Sequence, residues 1–165
     1  NVIQCNQLGD DKLIKEGVSS LPITDSNMTR FWITLDDGVR FVLKNFERMR
    51  GGEIFVPKIP SVRITDLATA MAPDLEQRII GIRPGEKIHE VMCPKDDSHL
   101  TLEFRDHFVI KPTISFSDRE NDFSTNQLGE ISSPVEQGFE YNSGDNEHFL
   151  DIEGILEMNR LASAL

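Results

Sequence analysis

The chain has 165 residues, and 28 acidic residues against 17 lysines and arginines give a formal net charge of -11 at pH 7. This length allows one ordinary domain with a hydrophobic core. The negative charge repels nucleic acid and anionic membranes, so neither is expected as a partner. Two cysteines without CxxC spacing fit a reduced, cytoplasmic protein. No stretch reaches the roughly 20 apolar residues that would span a bilayer.

The first part of the chain alternates between short strands and helices. Residues 12–16 predict a short helix, and residues 21–24 and 30–34 predict strands. Thr34 is a suitable cap for a longer helix that ends at the glycine pair 51–52, because apolar residues recur between them at helical spacing. These apolar residues are Leu35, Val39, Val42, Leu43, Phe46 and Met49.

The alternation continues through the middle of the chain. Residues 53–56 predict a buried strand, and Ser61 is a candidate cap for the next helix. The inner stripe of that helix is predicted to be Ile64, Leu67, Ala68 and Met71. Residues 78–82 then predict a strand and residues 86–92 a helix. This order predicts an α/β fold.

The last third of the chain gives weaker signals. A strand is predicted within residues 104–110. Residues 117–147 are rich in Ser, Asn, Asp, Glu and Gly, which predicts long loops with one hairpin near residues 139–141. A final helix is predicted from about residue 151 to residue 164.

The segment 83–87, Arg-Pro-Gly-Glu-Lys, follows a predicted strand, where ligands collect in open α/β sheets. Arg83 could bind a diphosphate through its planar set of N–H donors, and Glu86 could accept hydrogen bonds from ribose hydroxyls. An ordinary Pro-Gly turn with solvated charges explains the same residues. Spacing alone favours this second interpretation.

The segment 27–32, Asn-Met-Thr-Arg-Phe-Trp, is the other candidate site. Arg30 could hold a phosphate while a neighbouring aromatic ring closes the pocket. The alternative is an edge strand with a buried Trp32 and an arginine on the surface, and this segment taken alone favours it.

The sequence predicts neither a metal site nor a catalytic residue. The histidines His89, His99, His107 and His148 lack the spacing of metal ligands, and His89 is expected on the surface of a helix. No glycine-rich dinucleotide fingerprint follows a strand. The single tyrosine, Tyr141, has no lysine four residues later.

Four segments occur in the order and spacing of one family. They are Pro-Ile-Thr-Asp (22–25), Met-Thr-Arg-Phe-Trp-Ile-Thr (28–34), Gly-Glu-Ile-Phe-Val-Pro-Lys (52–58) and Gly-Ile-Arg-Pro-Gly-Glu-Lys-Ile-His-Glu (81–90). In these segments the chain resembles the configuration-inverting UDP-N-acetylglucosamine 4,6-dehydratases, which belong to the extended short-chain dehydrogenase/reductases and polysaccharide biosynthesis proteins. The resemblance covers residues 12–114, with a looser likeness at residues 140–143.

The resemblance implies the carboxy-terminal, substrate-binding lobe of a Rossmann-type fold, with a remnant of the last strand of the other lobe. It divides the chain into an atypical amino-terminal segment (1–11), an α/β substrate lobe (12–116), long polar loops (117–147) and a carboxy-terminal helix (148–165). Residues 4–11 do not match the loop that the family has there.

The resemblance also implies a reaction. The family uses NADP to oxidise the sugar at C4, eliminates water across C5 and C6, and returns the hydride to C6 with inversion at C5, for pseudaminic acid, capsule or O-antigen synthesis. Arg30 and Arg83 are expected to contact the UDP diphosphate from opposite sides, and Glu86 the uridine ribose. Met28 and Thr29 are expected in the same substrate site.

The family's catalytic Tyr-xxx-Lys pair and NADP loop belong to its amino-terminal lobe and are missing from this sequence. The chain is therefore expected to be inactive alone and to retain no NADP. Its expected partners are UDP-N-acetylglucosamine and either a separate Rossmann lobe or further copies of itself. The alternative function is an isolated UDP-sugar-binding or oligomerisation module without catalysis.

Overall fold

The computed structural model describes residues 19–114 and 122–163, and the chain divides into two units. Unit 1 comprises Asn1–Thr34, Pro60–Glu90 and Ser143–Leu165, and unit 2 comprises Leu35–Ile59 and Val91–Asn142. Each unit thus combines segments that are distant in the sequence. The predicted helix at 12–16 and the atypical segment 1–11 lie outside the described residues.

The described elements alternate between strands and helices, which confirms the predicted α/β fold. In chain order they are β1 (Ser20–Ile23), β2 (Thr29–Phe31), α1 (Leu35–Arg48), β3 (Ile54–Pro57), β4 (Ser61–Arg63), α2 (Ile64–Met71), β5 (Glu76–Ile79), β6 (Val91–Cys93), a 3-10 helix (Lys95–Leu100), β7 (Thr101–Glu103), β8 (His107–Ile110), β9 (Ser133–Pro134), β10 (Tyr141–Asn142) and α3 (Ile152–Ser163). None of the described helices is long and apolar enough to cross a membrane.

Unit 1 contains two strand pairs and a pair of helices. β1 and β5 are parallel, whereas β2 and β4 are antiparallel. Two apolar clusters hold these elements together. One is formed by Leu21, Ile23, Ala68 and Ala72, and the other by Trp32, Val62, Leu67 and Ile155. Since α2 contributes to both clusters, it links the β1–β5 pair to α3.

The predicted inner stripe of α2 is confirmed. Leu67 and Ala68 are buried, and Ile64 and Met71 are half-buried against the same clusters. Ser61, however, does not cap this helix. It lies buried in β4, where its backbone N–H and carbonyl pair with the segment before α3, and Arg63 precedes the first helical residue.

The helix predicted at residues 86–92 does not form. Pro84 and Gly85 make a turn instead, and the backbone then runs irregularly to β6. Residues 91–93 instead form strand β6, which pairs with β10, because this long-range strand pairing outweighs the weak local preference for a helix.

Unit 2 is built on a sheet with the strand order β3-β8-β7-β9, in which all neighbours are antiparallel. Its core contains Leu102, Phe104 and Val109, with Phe55 and Phe123 packed against them. The strand predicted at 53–56 is only partly buried, since Ile54 is exposed. The hairpin expected near residues 139–141 is replaced by long-range pairing of β10 with β6.

Helix α1 of unit 2 presents its apolar stripe outward. Two acidic residues in its first turn and Arg48 in its last turn suit the helix dipole, as its sequence predicts. The apolar residues Leu35, Val39, Val42, Leu43, Phe46 and Met49 are all exposed. The buried side of the helix instead carries Asn45 and Arg48. Helical spacing therefore predicted the helix but not the face that packs inside unit 2.

Candidate functional site

The candidate segments follow the carboxyl ends of two parallel strands. β1 and β5 run side by side, and their pairing continues to Ile80, whose backbone N–H donates to the carbonyl of Ile23 at 2.8 Å. One candidate segment, Met28–Arg30, follows β1, and the other, Arg83–Glu86, follows β5. Parallel strands end at the same edge of a sheet, so both segments start from the edge where α/β proteins bind ligands.

Arg83–Glu86 forms a tight, closed turn. The backbone N–H of Glu86 donates to the carbonyl of Arg83 at 3.1 Å, and Gly85 has a φ of 86°. Proline followed by a glycine with positive φ is typical of a type II turn. A Glu86 carboxylate oxygen also accepts the backbone N–H of Arg83 at 3.0 Å. The turn thus fixes the backbone of both predicted ligand-binding residues.

The side chain of Arg83 is exposed, and within residues 19–114 and 122–163 its guanidinium has no hydrogen-bond or ion-pair partner. The Pro-Gly turn interpretation is therefore correct for the backbone. It does not compete with the phosphate interpretation, because the same turn leaves the guanidinium donors available.

Arg30 is buried, with 8% of its surface exposed, so the alternative of a surface arginine on an edge strand is wrong. Its Nη1 donates to the carbonyls of Thr29 at 2.6 Å and Ile88 at 3.1 Å, and its Nη2 donates to the carbonyl of Lys87 at 3.0 Å. Arg30 therefore fastens β2 to the segment that follows the Arg83 turn. The expected diphosphate contact of Arg30 stays a prediction.

The charge of Arg30 is only loosely compensated. Its Nε lies 3.5 Å from a carboxylate oxygen of Glu90 and has no hydrogen-bond acceptor among the described residues. Burial lowers the pKa of Arg30, and the carboxylates of Glu90 and Glu86 oppose that shift only in part. The guanidinium is therefore surrounded mainly by carbonyl dipoles, with one carboxylate at 3.5 Å.

Met28 and Thr29 are both buried. The hydroxyl of Thr29 lies 2.8 Å from Nδ1 of His89 and 2.7 Å from Oγ of Ser143. His89 is exposed as expected, but on an irregular segment rather than a helix. Sequence reasoning missed Ser143, and the only signal for it was the looser family likeness at residues 140–143.

The described residues do not suit NADP or a metal ion. Dinucleotide folds place a glycine-rich turn between a parallel strand and a helix. Here the direct strand-to-helix junction, from β4 to α2, contains no glycine, and β4 pairs in an antiparallel manner. Across the described ranges, no three His, Cys, Asp or Glu side chains gather as metal ligands. Burial raises the pKa of Cys93 to about 12, so its thiol is not a ready nucleophile.

Comparison with known proteins identifies a family and several similar proteins. The family described as "Polysaccharide biosynthesis protein" matches residues 11–112. Over 147 residues, the chain is 59% identical to the UDP-N-acetylglucosamine 4,6-dehydratase (inverting) of Campylobacter jejuni serotype O:2 and 56% identical to that of serotype O:23/36. These matches cover 89% of this chain and 44% of each relative. The UDP-glucose 4-epimerase of Rickettsia canadensis is 39% identical over 101 residues, which are 59% of this chain and 29% of that relative.

A solved structure supports the fold. The chain is similar to the X-ray structure of Pen from Bacillus thuringiensis, with a TM-score of 0.72 and 25% identity over 94% of this chain and 45% of that one. The chain thus spans less than half the length of these relatives. It belongs to the polysaccharide biosynthesis protein family, with the α/β fold of the extended short-chain dehydrogenase/reductases, and its predicted resemblance to the inverting UDP-N-acetylglucosamine 4,6-dehydratases is confirmed.

Proposed function

We propose that this chain is the UDP-sugar-binding part of an NADP-dependent, inverting UDP-N-acetylglucosamine 4,6-dehydratase. Its place would be in cytoplasmic nucleotide-sugar synthesis for pseudaminic acid, capsule or O-antigen. The observation that carries this proposal is the exposed Arg83 guanidinium on a closed turn. This turn follows the carboxyl end of β5, and the segment with the buried Arg30 follows the carboxyl end of the neighbouring β1. The names of the 56–59% identical relatives supply the substrate.

In this proposal the two arginines have different tasks toward the diphosphate. Arg83 offers its exposed planar donors, which match phosphate oxygens in pairs. Arg30 adds a positive charge that neighbouring carboxylates compensate only in part. Glu86 uses one carboxylate oxygen to close the turn, and its other oxygen is proposed to accept a ribose hydroxyl.

The chain is proposed to be catalytically inactive alone. NADP, when bound to the complete enzyme, supplies the hydride chemistry. The described residues do not fit this cofactor, and the sequence has no Tyr-xxx-Lys pair. Turnover of UDP-N-acetylglucosamine by this chain with added NADP, measured by product chromatography, would contradict the proposal.

The substrate site is tested by calorimetric titration with UDP and with UDP-N-acetylglucosamine. Arg83→Ala is expected to weaken the binding of both by about tenfold or more, since a charge-assisted hydrogen bond contributes on the order of 1.5–3 kcal/mol. Arg78→Ala is the matched control, because it removes an exposed arginine from β5 of the same unit. Equal binding by the Arg83 and Arg78 variants would remove Arg83 from the site.

A second candidate function, a protein-association module without catalysis, is supported by the exposed apolar stripe of α1. Contiguous exposed apolar surface promotes association. The proposed partners are a separate Rossmann lobe or another copy of this chain. Sedimentation velocity is expected to show association that Phe46→Asp weakens and Glu47→Gln, a change at an exposed polar position, leaves intact. A monomer at high concentration would exclude self-association.

A further inference from the structure

Thr29, Ser143 and His89 form a hydroxyl cluster in unit 1 that the proposed function does not use. Oγ1 of Thr29 is 2.7 Å from Oγ of Ser143 and 2.8 Å from Nδ1 of His89. Thr29 is 5% exposed and Ser143 is fully buried, so their hydroxyls are shielded from water. Hydrogen bonds between shielded groups depend strongly on geometry, because water cannot replace a lost partner.

The hydroxyl cluster is fastened to the backbone that follows the Arg83 turn. Oγ of Ser143 accepts the backbone N–H of Glu90 at 2.9 Å, and the backbone N–H of Ser143 donates to the carbonyl of Glu90 at 2.8 Å. The backbone N–H of Thr29 donates to the carbonyl of Ile88 at 3.0 Å. The segment 87–90 is therefore held both by β2 and by a residue more than fifty positions later in the chain.

The glycine after Ser143 permits this close approach. A Cβ atom on Gly144 would lie only 2.6–2.8 Å from three ring atoms of His89. Real Cβ atoms essentially never come so close to other heavy atoms. Gly144 thus packs closely against the ring of His89, which lies in the segment 87–90.

We propose that Thr29 and Ser143 are positioning residues of the nucleotide site. Their hydroxyls hold the segment 83–90 against β2, so that Arg83 and Glu86 are presented to a nucleoside diphosphate that neither hydroxyl touches. Each hydroxyl already has two polar neighbours and is buried, which leaves a ligand no access to it. This inference rests on the proposed function, and it replaces the ligand contact that the resemblance implied for Thr29.

The test compares variants that separate the hydroxyl from the shape of the side chain. Thr29→Val keeps the shape and removes the hydroxyl, whereas Thr29→Ser keeps the hydroxyl. By calorimetry with UDP, Thr29→Val and Ser143→Ala are expected to bind about tenfold more weakly, and Thr29→Ser within about twofold of the unmodified chain. Thr69→Val is the matched control, because the Thr69 hydroxyl is also hydrogen-bonded in unit 1, but to the carbonyl of Thr65 in α2 and to the side chain of Gln77 in β5.

Hydrogen exchange without ligand distinguishes positioning from direct contact. If the hydroxyls position the segment, amides of residues 83–90 exchange faster in Thr29→Val than in Thr29→Ser or Thr69→Val. A hydroxyl that only touched the ligand would leave this exchange unchanged, and the inference would be overturned. If Thr29→Val fails to fold, Ser143→Ala provides the same two measurements.

The outcomes also separate this inference from the proposed function. Failure of the unmodified chain to bind UDP overturns the proposed function and the inference together. UDP binding that Arg83→Ala weakens, but that folded Thr29→Val and Ser143→Ala retain in full, overturns the inference alone. Equal weakening by Thr29→Ser and Thr29→Val overturns it as well, because the hydroxyl would then not be the cause.

Discussion

Among the described residues, each unit contains one buried arginine, and the charges of the two arginines are compensated in different ways. Arg48 in unit 2 is fully buried, and its guanidinium lies 2.8 Å from both carboxylate oxygens of Asp106 and 2.8 Å from a carboxylate oxygen of Glu130. Arg30 in unit 1 donates to three backbone carbonyls and has one carboxylate at 3.5 Å. One arginine is held by full negative charges, and the other mainly by dipoles.

For this reason the pKa values of the two arginines shift in opposite directions from the ordinary value. Burial acts to lower the pKa of Arg48, but hydrogen bonds with Glu130 and Asp106 outweigh it, so the pKa is raised. Burial lowers the pKa of Arg30, and its more distant carboxylates do not reverse the shift. Carbonyls satisfy hydrogen bonds without neutralising charge. The guanidinium of Arg48 is therefore neutralised by neighbouring carboxylates, whereas that of Arg30 is surrounded mainly by carbonyls.

The largest expected effect is on the stability of unit 2. Arg48→Met leaves the half-exposed carboxylates of Asp106 and Glu130 without their main partner, and the loss of several charge-assisted hydrogen bonds is expected to cost about 3 kcal/mol. Urea unfolding measures this loss. Arg40→Met is the control, because Arg40 makes one exposed ion pair with Asp36, and such pairs contribute less than about 0.5 kcal/mol. A loss below about 1 kcal/mol for Arg48→Met would contradict a structural role for this arginine.

Removal of the other arginine should affect both stability and binding. Arg30→Met removes one donor from each of three carbonyls, of which that of Ile88 keeps the backbone N–H of Thr29. The expected cost is about 2 kcal/mol in urea unfolding, less than for Arg48→Met. UDP affinity, measured by calorimetry, should fall in Arg30→Met and stay unchanged in folded Arg48→Met. If both variants lost affinity equally, the proposed division between a ligand-facing and a structural arginine would be wrong.

A smaller effect is expected in the Arg83 turn. Gly85→Ala forces a side chain into a positive φ of 86°, which costs about 1 kcal/mol, and it should also weaken UDP binding because the turn carries Arg83. Gly129→Ala is a matched control in unit 2, with a φ of 75° and equally open space around it. It should lose similar stability in thermal unfolding but no UDP affinity. Equal binding by both variants would contradict a role for turn geometry.

The smallest expected effect is a pH dependence of stability that arises beside Arg48. Burial lowers the pKa of His107, and its hydrogen bond to Asp106 opposes this only in part. Since the folded pKa is depressed, the unfolded chain takes up this proton first. The contribution of neutral His107 to the free energy of unfolding is therefore fully present above about pH 6.5. It falls as the pH drops below that value. Urea unfolding at several pH values measures the slope.

The control for this pH dependence uses two phenylalanine variants. His107→Phe keeps the ring that stacks on Phe104 at 4.5 Å and should remove the slope just below pH 6.5. His99→Phe, at an exposed histidine, should retain it. The same slope in all three proteins would show that His107 is not its source.

Features that depend on neighbouring residues were predictable from the sequence. The Arg83–Glu86 turn follows from Pro84 and Gly85, whose backbone preferences act within four residues. Local periodicity likewise predicted α1, α2 and the buried face of α2. The site segments were recognisable because family resemblance depends on residue types in order, which needs no knowledge of packing.

Features that depend on distant partners were not predictable. Thr29 and Ser143 are 114 positions apart, and Arg48 meets Asp106 and Glu130 across 58 and 82 positions. A polar residue among apolar ones is predicted to be exposed unless its partner is known. The helix predicted at 86–92 failed for the same reason, since the pairing of β6 with β10 is long-range.

The sequence by itself determined the α/β class, most of the elements, the turn that carries Arg83 and the family. Only the tertiary structure decided which arginine is exposed and that Arg30 and Arg48 are buried. It also decided that the hydroxyl of Thr29 is hydrogen-bonded to Ser143 and His89. The physical reason is the range of the interactions. Backbone preferences and helical periodicity act over a few residues, whereas burial and charge compensation depend on groups that meet only after the chain has folded.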